Sequence, residues 1–248
     1  MIRFIVAIIF VVAYCIFSIP MLGVMCIVRL FSVDAAEKAV KKIVQGAFHV
    51  IVAICGVRVE VRGAERIPKD EAVLFVANHQ SFFDVIIPYM YIPRLCGYVA
   101  KKEFEKIPVL SWNMKFLKCL FLDRDDLKQG METIKTAIQY IKDGISVFIF
   151  PEGTRNKTGD DLAVREFHKG SFKMAQRTGC KIIPVAMVNT ASIWEKHYPT
   201  VKPTHVIIDF GEPIAYTGLT KDQQRHIDVY YHDMIVDMIR KDLTDIRE

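Results

Sequence analysis

The chain of 248 residues has no arginine-lysine block and no aromatic-basic alternation, the surface pattern that tracks nucleic acid, so no nucleic-acid partner is expected. Its six cysteines (Cys15, Cys26, Cys55, Cys96, Cys119 and Cys180) are scattered. None belongs to a C-x-x-C pair and none has a histidine at zinc spacing, which argues for reduced, buried thiols and against a metal site or a disulfide scaffold. A G-x-S-x-G elbow is missing too, so no serine is presented as a hydrolase nucleophile. No segment repeats and none is of low complexity. Charge is absent from Phe4 to Val28, between Arg3 and Arg29, and that gap is the first positive signal.

The uncharged run holds 25 residues, and about 20 suffice to cross a bilayer as a helix. Pro20 and Gly23 interrupt it, so a straight span and a kinked or re-entrant insertion both fit. It is too long for a cleaved signal peptide, and no A-x-A-like site follows. A linker with Lys38, Lys41 and Lys42 leads to a second apolar segment, Ile43 to Val57, too short to span and suited to the interface. Residues 1–56 are therefore expected to be membrane-anchoring helices and residues 57–248 a separate α/β domain. The lysines, with Arg58, Arg62 and Arg66, place that domain on the cytoplasmic face of the cell membrane under the positive-inside rule. A net charge of +5 suits an anionic membrane surface or a phosphorylated ligand.

Beyond residue 57, short apolar runs alternate with helical patterns. Strands are expected at 57–62, 72–77, 96–100, 120–122, 146–150, 182–188 and 205–210. Pro184 argues for a bulge or an edge in the sixth of these. Leu127, Met131, Ile134, Ile138 and Ile141 form a helical stripe that reads as core. The pattern gives a mostly parallel or mixed central sheet covered by helices, behind the N-terminal two-helix segment.

The chain is organised around Ala72–Asp84. A strand apolar on both faces stops at Asn78-His79-Gln80-Ser81, and a new helical segment starts at once, with Ser81 and Asp84 spaced as a helix-start capping pair. That puts His79 at the carboxyl end of a buried strand, where open α/β sheets bind ligands. His79 and Asp84 would diverge on one continuous helix. They meet only if the histidine lies in the loop and the aspartate on the first turn. The carboxylate could then fix the tautomer and leave the other ring nitrogen free as a base. Asp84 could equally be a helix cap alone. The same spacing at His232 and Asp237 lies inside a helical repeat, where the two should point apart.

Phe150-Pro151-Glu152-Gly153-Thr154-Arg155 repeats the layout of buried strand and abrupt polar turn. Gly153 permits close backbone approach, Thr154 and the turn's N–H groups can donate, and Arg155 offers a planar fork for phosphate. Glu152 beside Arg155 is also readable as a structural ion pair.

Asn78–Asp84 and Phe150–Arg155, about 70 residues apart, resemble the first and third motifs of the glycerolipid acyltransferases, and within them the bacterial 1-acyl-glycerol-3-phosphate acyltransferases. Lys101 with Phe121-Leu122-Asp123-Arg124 is similar to the basic second motif, Ile183-Pro184-Val185 to the fourth, and Phe167-His168-Lys169-Gly170 to an intervening lysine-glycine segment. The resemblance runs from about Val57 to Phe210. One position departs: a glycine is usual six residues before the second-motif arginine, and here Lys118 stands there.

The resemblance implies that His79 is the base and Asp84 its orienter. Glu152, Gly153, Thr154, Arg155, Arg124 and Lys101 would hold the phosphate of lysophosphatidic acid. The donor would be acyl-CoA or acyl carrier protein, with no metal or further cofactor, and the reaction would run beside membrane lipid. The motifs leave open an acyltransferase for another lysophospholipid or for glycerol 3-phosphate. Readings of another class are a membrane phospholipid phosphohydrolase, which would need metal-binding carboxylates or a second histidine, and a non-catalytic lipid-binding module, which would leave His79 dispensable.

Overall fold

In the computed structural model, which describes residues 1–247, one eight-stranded sheet carries helices on both faces. The strands are β1 (Arg58–Arg62), β2 (Leu74–Ala77), β3 (Cys96–Lys101), β4 (Leu120–Leu122), β5 (Ser146–Ile149), β6 (Lys181–Val188), β7 (His205–Phe210) and β8 (Ile214–Ala215). They run in the order β1-β7-β6-β2-β5-β3-β4, with β8 beside β6. From β6 through β4 every pairing is parallel, whereas β7 runs antiparallel to β6. The carboxyl ends of β6, β2, β5, β3 and β4 therefore share one rim. All four residues of β2 are buried, as the two-sided apolar run requires.

Pro184 sits inside β6, a central strand. It is tolerated because the neighbour on one side changes there: Ile182 pairs with β8 and Val185 with β7. The missing N–H falls in that gap, and the Pro184 carbonyl accepts from Gly211 N at 2.8 Å.

The helices are α1 (Ile2–Phe31), α2 (Val33–Cys55), α3 (Phe83–Tyr91), α4 (Pro108–Phe116), α5 (Leu127–Lys142), α6 (Lys173–Thr178), α7 (Lys221–Arg225) and α8 (Ile227–Arg247). Apolar side chains on one sheet face, among them Phe75, Phe148, Ile183 and Phe210, share a core with α1, α2 and α3. The other face packs against α5, α6 and α8. His232 and Asp237 do diverge: His232 Nδ1 lies 2.9 Å from Asp233, and Asp237 pairs with Arg240.

α1 is about 45 Å long at 1.5 Å per residue and runs through Pro20 without ending. Among the described residues it alone is long and apolar enough to cross a membrane. Ile5, Ile9, Val12, Ile16, Phe17, Ile27 and Leu30 on it are exposed. α2 begins ten residues before the expected Ile43, with the Ser32 hydroxyl accepting from Ala35 N. Its stripe was hidden by polar residues that turn inward. Lys41 Nζ donates to the Pro93 carbonyl at 2.6 Å, and Gln45 Nε2 to the Tyr89 carbonyl at 2.9 Å. Of the two N-terminal helices, α1 carries the bare apolar surface, while α2 docks the hairpin on the sheet domain and shares its core.

The stripe on α5 is core only at its far end. Leu127 is 85% and Met131 60% exposed, against the expectation for Met131. The edge strand β4 has three residues, so the sheet ends beneath the first turns of α5 and nothing covers them.

Lys118 takes the left-handed conformation (φ 60°) that explains why a glycine is usual at this turn. Its Nζ reaches Glu37 Oε1 on α2 at 2.5 Å, and both side chains are largely buried. Lys118→Gly should relieve roughly 1 kcal/mol of backbone strain while stranding a buried carboxylate at about 3 kcal/mol. The single variant is expected to unfold at a lower temperature than the parent, and Glu37→Gln added to it to restore most of the loss. Thermal unfolding in detergent reads both; a stabilised single variant would contradict the account.

Candidate active site

The site lies on the shared rim, built from the loops that follow β6, β2, β5, β3 and β4. After β2 the chain leaves the sheet at Asn78, whose side chain bridges to β6: Nδ2 donates to the Met187 carbonyl and Oδ1 accepts from Met187 N, each at 2.9 Å. That brace fixes the next residue, His79. α3 then begins with a tight turn, and its second residue, Asp84, points back toward the loop.

His79 Nδ1 lies 2.9 Å from Asp84 Oδ2. The same carboxylate oxygen accepts from Gln80 N and Ser81 N, both at 2.6 Å, and Oδ1 accepts from Thr190 Oγ1 at 2.6 Å. The aspartate is fully buried. It acts as helix cap and imidazole partner at once. Three other donors hold it as an acceptor, so Nδ1 carries the proton toward it and Nε2 is left with its lone pair. Among the described residues nothing hydrogen-bonds Nε2. The ring stacks on Phe150 at 4.0 Å between centroids, and its side chain keeps 16% exposure at the rim.

Ser81 is closed as a nucleophile. Its hydroxyl donates to Glu195 Oε2 at 2.8 Å and accepts from Phe83 N at 3.1 Å, and the residue is fully buried.

The residues after β5 separate into distinct places. Glu152 is 3% exposed; its two oxygens accept from His79 N at 2.6 Å and Arg165 N at 3.0 Å. The expectation that it contacts a phosphate is therefore corrected: it is a brace between the two motif loops. It forms no ion pair with Arg155. Gly153 has φ +72°, and a Cβ there would lie 3.1 Å from the His168 ring and 3.8 Å from the Arg124 guanidinium carbon. The left-handed backbone favours glycine, and a Cβ would crowd the His168 ring while leaving the Arg124 guanidinium in ordinary contact. Thr154 is half-buried beside it. Arg155 turns the other way: its guanidinium lies 3.8 Å over the Phe82 ring and Nη1 reaches Glu195 Oε1 at 3.3 Å. Lys101 ends β3, exposed, and Arg124 follows β4. Among the described residues no three His, Cys, Asp or Glu side chains form a metal-holding group.

Thr190 and Glu195 escaped the sequence reading because both come from the irregular segment after β6, more than 100 residues from the loop they brace. Their chemistry, a hydroxyl and a carboxylate, carries no local signature.

Burial pushes the Glu152 carboxyl up to about 7, despite the two N–H donors that favour its ionised form. A folded-state value above the unfolded one means stability that is complete below about pH 4.5 and lost as pH rises through 7. The shift is worth about 3 kcal/mol. Asp242, pushed up to about 6 by burial, adds in the same direction at lower pH. The unfolding temperature should therefore fall between about pH 4.5 and pH 7 and level off above, and Glu152→Gln should flatten the part between pH 6 and pH 7, where Asp242 no longer contributes. An unchanged slope would remove the buried charge from the account.

A histidine held by a buried aspartate at the carboxyl rim of an α/β sheet, with Glu-Gly-Thr-Arg in the turn after the neighbouring strand, defines the class. The chain belongs to the acyltransferase family, whose profile matches residues 58–188. Among relatives, it is 30% identical over 195 residues to the 1-acyl-sn-glycerol-3-phosphate acyltransferase of Saccharomyces cerevisiae, covering 78% of this chain and 64% of that one. It is 31% identical to the protein of the same name in Borreliella burgdorferi, covering 74% and 72%. The chain thus spans just under two thirds of the yeast relative's length. The crystal structure of the 1-acyl-sn-glycerophosphate acyltransferase PlsC from Thermotoga maritima superposes with a TM-score of 0.79 at 25% identity, over 97% of this chain and 94% of that one.

Proposed function

We propose that the chain transfers an acyl group from a thioester to the sn-2 hydroxyl of 1-acyl-sn-glycerol 3-phosphate, giving phosphatidic acid. The observation that carries the reading is the His79–Asp84 contact of 2.9 Å, with the aspartate saturated by donors and Nε2 unbonded. His79 Nε2 removes the proton of the acceptor hydroxyl as its oxygen attacks the thioester carbonyl. The new C–O bond forms, the C–S bond breaks, and the departing thiolate takes the proton back from the imidazolium. Asp84 stabilises that imidazolium. The enclosed Ser81 hydroxyl supports direct transfer without an acyl-enzyme.

Both substrates are anionic, and Lys101, Arg124 and Arg155 supply positive charge along the rim. Gly153 lets the chain come close to a head group, with Thr154 as a donor. α1, together with the exposed Ile107, Leu110 and Trp112 beside Lys101 and Arg124, supports work at a membrane surface. The basic residues after α1 support the cytoplasmic face. Arg155→Ala is expected to raise the acceptor KM about tenfold or more with a smaller fall in kcat. An unchanged acceptor KM would count against a phosphate role.

The test is the purified chain in mixed micelles with lysophosphatidate and either acyl-CoA or acyl carrier protein. Formation of phosphatidate is expected. Thioester hydrolysis alone, or a preference for glycerol 3-phosphate, would overturn the reading.

A further inference from the structure

The segment Phe167–Gly170 brings the chain back to the rim after the polar loop that follows β5, and its side chains part company there. Phe167 is buried, edge-on to the His232 ring of α8 at 5.4 Å between centroids. Lys169 turns to α7, where its Nζ donates to the Arg225 carbonyl. His168, extended between them, is exposed and lies over the turn after β5. Its backbone fixes it in place: the N–H donates to the Pro151 carbonyl at 3.0 Å, and the carbonyl accepts from Ser171 N at 2.9 Å. Neighbouring residues of an extended segment point opposite ways, so burying Phe167 aims His168 outward.

The imidazole and the Arg124 guanidinium reach the same backbone turn. A Cβ at Gly153 would lie 3.1 Å from His168 Nε2 and 3.8 Å from the guanidinium carbon of Arg124. Among the described residues neither side chain has a hydrogen-bond or ion-pair partner. Asp123, next to the arginine, is taken by Lys102 at 3.1 Å, and Glu103 bears on Arg124 without pairing with it. The turn also belongs to the base. Gly153 N closes it by donating to the Phe150 carbonyl at 3.0 Å. Phe150 stacks on His79 at 4.0 Å between centroids, and Glu152 accepts from His79 N. His79 and His168 thus flank one turn, Phe150–Gly153.

We propose that His168 is a further ligand of the acceptor's phosphate, shared with Arg124, and that it favours a phosphomonoester over a diester. The inference rests on the transferase reading and deepens it. In 1-acyl-glycerol 3-phosphate the reacting hydroxyl and the phosphate stand on adjacent carbons, so the head group has to lie close beside the base, where this turn is. An imidazole N–H and a guanidinium fork are both donors suited to phosphate oxygens. A monoester presents three terminal oxygens and about 1.5 to 2 negative charges at neutral pH, against two oxygens and one charge for a diester. Each donor added to Lys101, Arg124 and Arg155 therefore favours the monoester.

The test uses the full chain in mixed micelles with two variants at this exposed position: His168→Ala, and His168→Gln, which keeps a donor near the place of Nε2. KM and kcat are measured for lysophosphatidate, and donor-free binding of lysophosphatidate and of lysophosphatidylglycerol is titrated by calorimetry. In His168→Ala the lysophosphatidate KM is expected to rise about tenfold, with kcat within about twofold of the parent and the unfolding temperature unchanged. His168→Gln should recover most of the affinity. Binding of lysophosphatidylglycerol should weaken less than about threefold, so that the preference for the monoester narrows. An unchanged lysophosphatidate KM, or a fall in kcat with KM intact, overturns the ligand role. An equal loss for the two lipids overturns the selection. Equal losses in both variants, with both unfolding at a lower temperature, would make His168 a structural prop and overturn the proposal as well. Failure of the transferase reading looks different: the parent chain then makes no phosphatidate, while the donor-free titration still reports whether His168 holds the phosphate.

Discussion

His79→Ala is expected to lower kcat/KM for acyl transfer by roughly 10³-fold or more, the upper part of the range that a positioned general base supplies. Folding should hardly notice. The ring makes one stacking contact, with Phe150, and its one hydrogen bond goes to an aspartate that keeps three other donors. The loop around it stays braced by Asn78 and Glu152, so the unfolding temperature should stay within a few degrees of the parent's. His232→Ala is the matched control. That residue lies on α8, hydrogen-bonded to its own neighbour and to the Val164 carbonyl, and its loss should leave turnover near normal. Comparable activity in the two variants, measured as phosphatidate formed, would contradict the assignment.

Asp84→Asn should damage both activity and stability. The carboxylate accepts from four groups in the fully buried turn. An amide has one acceptor oxygen: set toward the two backbone N–H groups, it leaves the NH₂ to donate to the Thr190 hydroxyl, which rotates to accept, and every bond it keeps is to a neutral acceptor in place of a charged one. A bond to a charged acceptor is worth about 1 kcal/mol more than one to a neutral acceptor, so a drop of a few degrees in unfolding temperature is expected. The imidazole also loses the partner that fixes its tautomer, and turnover should fall by roughly 10³- to 10⁴-fold. The contrast is the informative part: His79→Ala removes chemistry alone, while Asp84→Asn removes chemistry and structure together. A fully stable Asp84→Asn protein would show that the buried hydrogen bonds carry less than their geometry implies.

What could be read from sequence was local. β2 and β5 announce themselves as continuous apolar runs broken by polar turns, and the two turns carry the histidine and the arginine. Those runs also fix the sheet's centre, because only strands buried on both faces look that way. What stayed hidden depended on partners distant in the chain. Glu152 reads as a rim anion next to an arginine. Only the fold shows its oxygens turned to the backbone of His79 and Arg165. Thr190 and Glu195 complete the aspartate and the arginine from a segment with no periodicity. α2 runs ten residues longer than its apolar stripe because Glu37, Lys41 and Gln45, polar residues on its inner face, have buried partners on the sheet domain and so break that stripe. Met131 erred the other way: an amphipathic stripe predicts a covered face, and the short edge strand leaves its first turns bare.

The central claim is that one ring nitrogen, left free by a buried aspartate that holds the other, takes the proton of the acceptor hydroxyl. The measurement that reaches it most directly is an experimental structure of the chain with lysophosphatidate in micelles. The acceptor hydroxyl is expected within about 3 Å of His79 Nε2, with the phosphate held by the rim cations Lys101, Arg124 and Arg155 and the chain running toward α1. A head group seated away from those cations, or a hydroxyl out of reach of the imidazole, would contradict it.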